Sequence, residues 1–268
     1  MRRLGPARAP RPSVVAIVTL LLCGPVLASP LGADPTSRAR AGISGTITVS
    51  AGASLTEAFT KVGADFLKRH KRTMVRFNFG SSAALVTQIQ GGAPVDVFAS
   101  ADLTNMDKLV TTGTVRDSPT IFARNQLEMA VKPGNPKGIM TLADLRNVGV
   151  IALCGPTVPC GVYAANVLSR AGVTIPEASI TRGADAKATI AAVSPGDADA
   201  ALVYVTDVRA AGGAVQGVMI PDDENTVAVY PIARIAGRPN ARLAKAFVAY
   251  VASPAGRKTL ANYGFLAP

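Results

Sequence analysis

The sequence predicts an α/β protein with two lobes, and three observations support this prediction. Runs of β-branched and apolar residues alternate with amphipathic helical segments along most of the chain, which is typical of parallel sheets covered by helices on both faces. Two longer extended segments interrupt the alternation. The 268 residues, 49% hydrophobic and 17% charged, are enough to form two cores.

The first elements alternate regularly between strand and helix. "TITVSA" predicts a buried strand. "SLTEAFTKVGADFLKRH" predicts a helix, because Leu55, Phe59, Val62 and Phe66 recur at the helical period. The next segments predict a strand, a helix ended by glycine, a strand and a short helix, in the order "MVRFNFG", "SAALVTQIQGG", "VDVFAS" and "NMDKLVTTG".

A lobe boundary is predicted at "NQLEMAVKPGNP", a longer strand that ends in a Pro/Gly turn. The following segments predict helix and strand together, helix, strand, helix and a strand with a helical tail, in the order "TLADLRNVGVIALC", "CGVYAANVLSRAGV", "SITRG", "ADAKATIAAVSPG" and "AALVYVTDV". "AVYPIARIAG" is similar to a second connecting strand, and two helices end the chain. We therefore predict lobe 1 over 46–126 and 229–268 and an inserted lobe 2 over 127–228, with a ligand cleft between them.

The N-terminus predicts an export signal. Four arginines precede an apolar run from Val14 to Leu22, and small residues and prolines follow. The run is about half of the roughly 20 residues that a helix needs to cross a bilayer. We therefore predict a signal peptide over 1–28, a linker over 29–45 and a mature chain outside the cytoplasm.

Cys23 follows the apolar run directly, where a lipoprotein signal carries its acylated cysteine. Leu22 departs from that signal, which has a small residue at this position. The predictions are therefore lipidation at Cys23, with an anchor on the outer face of the membrane, or simple cleavage after Ala28 or Ala33.

Cys154 and Cys160 lie in the loop "CGPTVPCG". A close cysteine pair in an exported chain favours a disulfide. Zinc is the alternative, but two thiols without a nearby histidine make a poor tetrahedral site. We therefore expect no site for a metal cation.

Composition excludes several function classes. The net charge of +11 becomes +7 when the four leader arginines are removed, which favours an anionic ligand. His70 is the only histidine and lies in the basic run "KRHKR", which disfavours a Ser/His triad. The sequence has no phosphate-loop or dinucleotide motif, and its few aromatic residues are not interleaved with basic ones, so we expect neither cofactor nor nucleic acid.

Small residues join a strand to a helix in four places, "SAGASLTE", "FNFGSSAAL", "CGPTVPCGVY" and "TRGADAKA". A helix start has unpaired N–H groups and partial positive charge, so several starts that face one cleft could hold an oxyanion. The alternative is helix capping, by the box from Ser54 to Glu57, by Ser81 or Ser82, and by Asp185. Tyr204, in an apolar strand, is likewise typical of a core tyrosine.

Five segments resemble the molybdate-binding proteins that supply ABC importers, namely "ITVSAGASLTEAF", "FNFGSSAALVTQIQGGAPVDVFASAD", "VPCGVYAANVL", "ALVYVTDV" and "ANYGF". The second is the most specific, because it combines a Ser-Ser helix start with the next strand in the family's order. The resemblance implies a type II periplasmic-binding-protein fold without catalytic activity or cofactor. It also implies a monomer that captures molybdate or tungstate for a permease and its ATPase.

In that family, two serines of one lobe and backbone N–H groups and a tyrosine of the other hold the oxyanion. On the matching motifs of this chain the resemblance implies the donors Ser54, Ser82, Cys160 (backbone), Ala186 (backbone) and Tyr204. Cys160 departs from the family, which often has alanine there, but a backbone donor tolerates cysteine. A bridge to Cys154 would fix the direction of that N–H group.

The chemistry of the five positions agrees with an oxyanion that carries no proton. Molybdate, tungstate and sulfate are such dianions near pH 7, whereas protonated phosphate also needs an acceptor, and none of the five positions supplies a carboxylate. The molybdenum would thus be bound as molybdate and not as a cation. The alternatives are a carrier for sulfate or another tetrahedral oxyanion, and an enzyme that uses Cys160 as a nucleophile.

Overall fold

A computed structural model describes residues 43–193 and 196–268, and the strands of this part of the chain form one mixed sheet. The strands are β1 (Gly45–Gly52), β2 (Thr73–Gly80), β3 (Val97–Ala99), β4 (Thr120–Val131), β5 (Ile151–Cys154), β6 (Ile180–Gly183), β7 (Ala200–Tyr204), β8 (Gln216–Met219) and β9 (Val227–Arg234). Their order is β2-β1-β3-β9-β4-β7-β5-β6, with β8 paired to β4.

The described residues also form eight α-helices. They are α1 (Thr56–Arg69), α2 (Ser82–Gln90), α3 (Leu103–Thr111), α4 (Pro159–Arg170), α5 (Ala186–Ala191), α6 (Val205–Ala211), α7 (Ala241–Ala252) and α8 (Pro254–Asn262). None of the helices in this part of the chain combines the length and the apolar character that a membrane crossing requires. The predicted signal peptide, with Cys23, lies outside the described residues.

The predicted alternation forms because each segment buries one apolar face. Leu55, Phe59, Val62 and Phe66 are all fully buried, as the helical period predicts. The rings of Phe59 and Phe66 meet the ring of Phe247 on α7, with centroids 6.2 and 5.4 Å apart. Every residue of β7 is buried, because both faces of this part of the sheet are covered.

The strands that alternate with helices pair in parallel, as predicted, and the two longer strands add antiparallel pairing. β1 pairs in parallel with β2 and β3, and β5 pairs in parallel with β6 and β7. The two longer strands, β4 and β9, run antiparallel to their neighbours. Strand β8 was not predicted, because only one of its four residues is buried and no apolar alternation marks it.

β4 joins the two halves of the sheet. It pairs with β9 from Thr120 to Gln126 and with β7 from Leu127 to Val131, so its partner changes within one continuous strand. Residues Gly42–Pro268 form one compact unit. The lobe boundaries 46–126, 127–228 and 229–268 therefore stay a prediction.

An ion cluster links helices that follow strands of both halves. Lys187 of α5 lies 2.8 Å from a carboxylate oxygen of Glu57 on α1 and 3.4 Å from Oδ1 of Asp207 on α6. The Asp207 side chain is fully buried. Burial raises the pKa of Asp207 from 3.8 to about 6, and the nearby Lys187 ammonium opposes this increase. Asp207 therefore destabilises the fold when it is ionised.

We expect Asp207→Asn to become more stabilising, relative to wild type, as the pH rises. Because the pKa is raised in the folded state, the folded protein favours the protonated carboxyl. Ionisation then costs about 1 kcal/mol at pH 4.5 and about 3 kcal/mol at pH 7.5. Urea unfolding of both proteins at these two pH values measures the difference.

The exposed Asp223 supplies the matched control, because Asp223→Asn makes the same substitution at a carboxylate on the surface. A difference between Asp207→Asn and wild type that stays constant from pH 4.5 to 7.5 would contradict the raised pKa of Asp207.

Candidate functional site

A small pocket lies where strand ends of both halves of the sheet meet helix starts. Its volume is about 220 Å³, less than the roughly 300 to 1,000 Å³ of pockets for drug-sized ligands, so it suits a compact solute. None of its lining residues is basic. They are Gly52, Ala53, Ser54, Gly80, Ser81, Ser82, Ala101, Pro159, Cys160, Asp185, Ala186 and Tyr204.

Ser54 lies in a 3₁₀ turn, Ala53–Leu55, between β1 and α1. Its side chain makes no capping hydrogen bond to either helix, so the capping box expected from Ser54 to Glu57 is wrong. The hydroxyl oxygen lies 2.8 Å from the hydroxyl oxygen of Tyr230, and both groups are buried. The tight turn places Ser54 at the pocket, and its hydroxyl forms a hydrogen bond with Tyr230 of β9 instead of capping the helix.

Ser81 and Ser82 divide two tasks at the start of α2. Ser81 is the N-cap, because its Oγ accepts the N–H of Ala84 at 3.3 Å. Ser82 is fully buried, and its Oγ accepts the backbone N–H of Ala101 at 3.0 Å. With this oxygen engaged as an acceptor, the Ser82 O–H group can donate into the pocket that the residue lines.

Cys160 is the second residue of α4 and forms a disulfide with Cys154, the last residue of β5. The structure thus contains the predicted bridge, and Cys160 has no free thiol to act as a nucleophile. The backbone N–H of Cys160 belongs to the first turn of α4, where amides have no partner within the helix. Gly161 lets the start of α4 pack closely against Gly155, because a Cβ at position 161 would lie 2.0 Å from the Gly155 carbonyl oxygen.

Ala186 begins α5, with Asp185 as its N-cap. The Oδ1 of Asp185 accepts the N–H of Ala188 at 2.9 Å, as the capping alternative predicts. Asp185 also lines the pocket, which adds an acidic residue that the five predicted positions do not contain. The capping bond from Ala188 engages one of the two carboxylate oxygens of Asp185.

Tyr204 ends β7 and is 1% exposed. Its hydroxyl oxygen is buried and has no hydrogen-bond partner within the described residues. Burial is the main cause that raises the pKa of Tyr204 well above its usual value, and the neighbouring Tyr230 adds to the increase. Tyr204 therefore stays protonated at neutral pH and has a hydrogen to donate to a solute in the pocket.

The structure brings all five predicted positions to one pocket, and their role as ligands stays a prediction. Three buried hydroxyl groups and two helix starts can act there as hydrogen-bond donors. No group of three or more His, Cys, Asp or Glu residues suited to a metal ion occurs within residues 43–193 and 196–268. The arrangement can hold an anion without a cationic side chain in the pocket.

Sequence reasoning missed the partners that stand behind the two serines. Ala101 and Tyr230 contact Ser82 and Ser54, and Asn125 approaches Tyr230. These contacts join residues 19, 176 and 105 positions apart. A tyrosine in the apolar strand "AVYPIA" was the available signal, because a buried tyrosine hydroxyl normally has a partner.

Comparisons with known proteins identify the family of the chain. A family model for bacterial extracellular solute-binding proteins matches residues 47–266. Molybdate-binding protein ModA of Mycobacterium bovis is 36% identical to the chain over 261 residues, which cover 96% of both proteins. These matches confirm the family resemblance drawn from the sequence.

Two solved structures share the fold. The periplasmic molybdate-binding protein of Azotobacter vinelandii superposes with a TM-score of 0.74 at 21% identity, over 83% of this chain and 99% of that chain. The sulfate-binding protein SubI of Mycobacterium tuberculosis superposes with a TM-score of 0.75 at 20% identity, over 82% and 86%. Likenesses at these identities establish the fold alone, and they confirm the predicted type II periplasmic-binding-protein fold.

The family match spans nearly all of the described residues, and the relative covers almost the whole chain. Both are binding proteins, so the function of the chain is binding and not catalysis. The chain belongs to the bacterial extracellular solute-binding protein family, as a relative of molybdate-binding protein ModA.

Proposed function

We propose that the protein captures molybdate, and also tungstate, outside the cytoplasm and delivers it to the permease of an ABC importer. The carrying observation is that Ser54, Ser82 and Tyr204 place three buried hydroxyl groups in one small pocket beside two helix starts. The relative of Mycobacterium bovis is named a molybdate-binding protein, and this name supports the choice of ligand. Binding needs no cofactor.

Fixed donors suit a dianion that carries no proton. Such an ion accepts hydrogen bonds at every oxygen, so donors alone can satisfy it. Buried donors act strongly, because few water molecules compete with them. Sulfate has the same hydrogen-bonding needs and differs in size, so the size of the pocket must discriminate between the two ions.

Transport requires that the pocket open. We infer that a lobe over 46–126 and 229–268 binds the oxyanion first, and that a lobe over 127–228 then closes by a hinge at β4 and β9. The partner change of β4 between Gln126 and Leu127 supports a hinge there. The closed protein, as a monomer, then docks on the permease, which its ATPase drives.

We further propose that the exported chain is anchored by a lipid on Cys23. The position of Cys23 directly after the apolar run of the leader supports this proposal. Mass spectrometry of the protein purified from membranes tests it, because lipidation adds acyl chains to an N-terminal cysteine. A mature chain that begins after Ala28 or Ala33 would contradict it.

Thermal unfolding with equal concentrations of molybdate, tungstate, sulfate and phosphate tests the choice of ligand. We expect molybdate and tungstate to raise the melting temperature most. A ligand at 100 times its dissociation constant stabilises the folded state by about 2.7 kcal/mol. A shift with sulfate as large as the shift with molybdate would instead assign the protein to sulfate.

Ser82→Ala and Tyr204→Phe test the location of the site. Each change removes one buried donor, and a hydrogen bond to a charged group is worth about 1.5 to 3 kcal/mol. We therefore expect calorimetry to show a roughly ten- to hundredfold weaker affinity for molybdate in each variant.

Ser253 is the matched control for the serine, because it caps α8 and does not line the pocket. Ser253→Ala should lower the unfolding free energy by about 1 kcal/mol and leave the affinity unchanged. Unchanged affinity in both Ser82→Ala and Tyr204→Phe would place the ligand elsewhere.

A further inference from the structure

A buried polar network adjoins Ser54, and its members Tyr230 and Asn125 do not line the pocket. Tyr230 of β9 is fully buried, and its hydroxyl oxygen lies 2.8 Å from Ser54 Oγ. The rings of Phe122, Tyr204 and Phe265 meet the Tyr230 ring edge-on, with centroids 6.2, 6.0 and 5.3 Å away. This packing fixes the ring, so the Tyr230 hydroxyl stays directed at Ser54.

The contacts of Asn125 on β4 indicate which groups in this network donate a hydrogen and which accept one. Its Oδ1 accepts the backbone N–H of Gln126 at 3.0 Å, which identifies the other amide atom as nitrogen. That nitrogen, Nδ2, lies 2.9 Å from Oγ1 of Thr206 and 3.5 Å from the hydroxyl oxygen of Tyr230. An amide nitrogen only donates, so the Tyr230 oxygen is the acceptor of this longer bond.

The order of donors and acceptors then follows along the chain of bonds. Because the Tyr230 oxygen accepts from Asn125, its own hydrogen is available to Ser54 Oγ. Burial raises the pKa of Tyr230, so the hydroxyl keeps this hydrogen at neutral pH. Once Ser54 Oγ accepts it, the Ser54 O–H group is left to donate into the pocket. Ser82 stands in the same position, since its Oγ accepts the N–H of Ala101.

We propose that Tyr230 is a positioning residue which, aligned by Asn125, fixes the polarity of the Ser54 hydroxyl so that it donates to the bound oxyanion. This inference rests on the proposed function of the pocket. Its consequence is selectivity: the Ser54 hydroxyl directs its hydrogen at the solute, so it favours a bare oxygen over an oxygen that carries a proton.

A double-mutant cycle on the full exported protein tests whether Tyr230 acts through Ser54. The probe is the oxyanion that gives the largest thermal shift, so the outcome does not depend on whether this ion is molybdate. We expect Tyr230→Phe to weaken its affinity roughly five- to twentyfold. In a Ser54→Ala background, the same change should weaken the affinity less than about twofold.

A second readout separates polarity from packing. Without the Tyr230 hydroxyl, Ser54 can rotate and accept, so the ratio of molybdate to phosphate affinity should fall in Tyr230→Phe. Tyr250→Phe is the matched control, because Tyr250 lies on α7 beside Phe66 and Arg69. It should change neither the affinity nor the ratio.

Asn125→Asp covers the case in which Tyr230→Phe does not fold. This isosteric change replaces the donor Nδ2 by an acceptor, which draws the Tyr230 hydrogen away from Ser54. We expect it to weaken oxyanion binding more in the presence of Ser54 than in the Ser54→Ala background. Equal weakening in both backgrounds, for Tyr230→Phe or for Asn125→Asp, would overturn the positioning role and leave the assigned ligand intact.

Discussion

The antiparallel pairing of β4 with β9 is the interaction on which the rest of the described structure depends. Ser54 and Ser82 follow strands on one side of this pair. On the other side, Cys160 and Ala186 follow strands and Tyr204 ends one. Each half orders its own donors through parallel pairing and helix starts, and this central pair connects the strands that carry the two donor sets. Asn125 and Tyr230 lie on the same two strands, so the junction also carries the polar network that adjoins Ser54.

The direction of each hydrogen bond matters as much as its presence. A serine hydroxyl in water can donate or accept, but Ser82 Oγ already accepts the N–H of Ala101, and the Tyr204 hydroxyl has no partner in the described residues. Donors that point in fixed directions bind most strongly the solutes whose acceptor atoms lie where the donors point. A lysine in the pocket would instead attract every anion, whatever its shape.

Much of the fold follows from local patterns, and much of the site does not. The buried face of α1 and the disulfide were predictable, because the helical period and the cysteine spacing are properties of neighbouring residues. The antiparallel course of β4 and β9 depends on which strands meet, which no local pattern records. Ser54 is a second example. The sequence from Ser54 to Glu57 matches a capping box, but the Ser54 hydroxyl forms its hydrogen bond with a tyrosine 176 positions away.

The ion cluster beside the pocket explains how a basic chain keeps its site free of positive side chains. Lys187 directly follows Ala186, but Glu57 and Asp207 hold its ammonium group. Burying Asp207 for this purpose is costly, as its raised pKa shows, and a buried ion pair seldom stabilises a fold by itself. Together, the carboxylates of Glu57 and Asp207 offset the charge of Lys187. The contact between Lys187 and Glu57 also links the start of α5 to the start of α1. The helix starts beside Ser54 and at Ala186 are thus linked by charged groups that do not line the pocket.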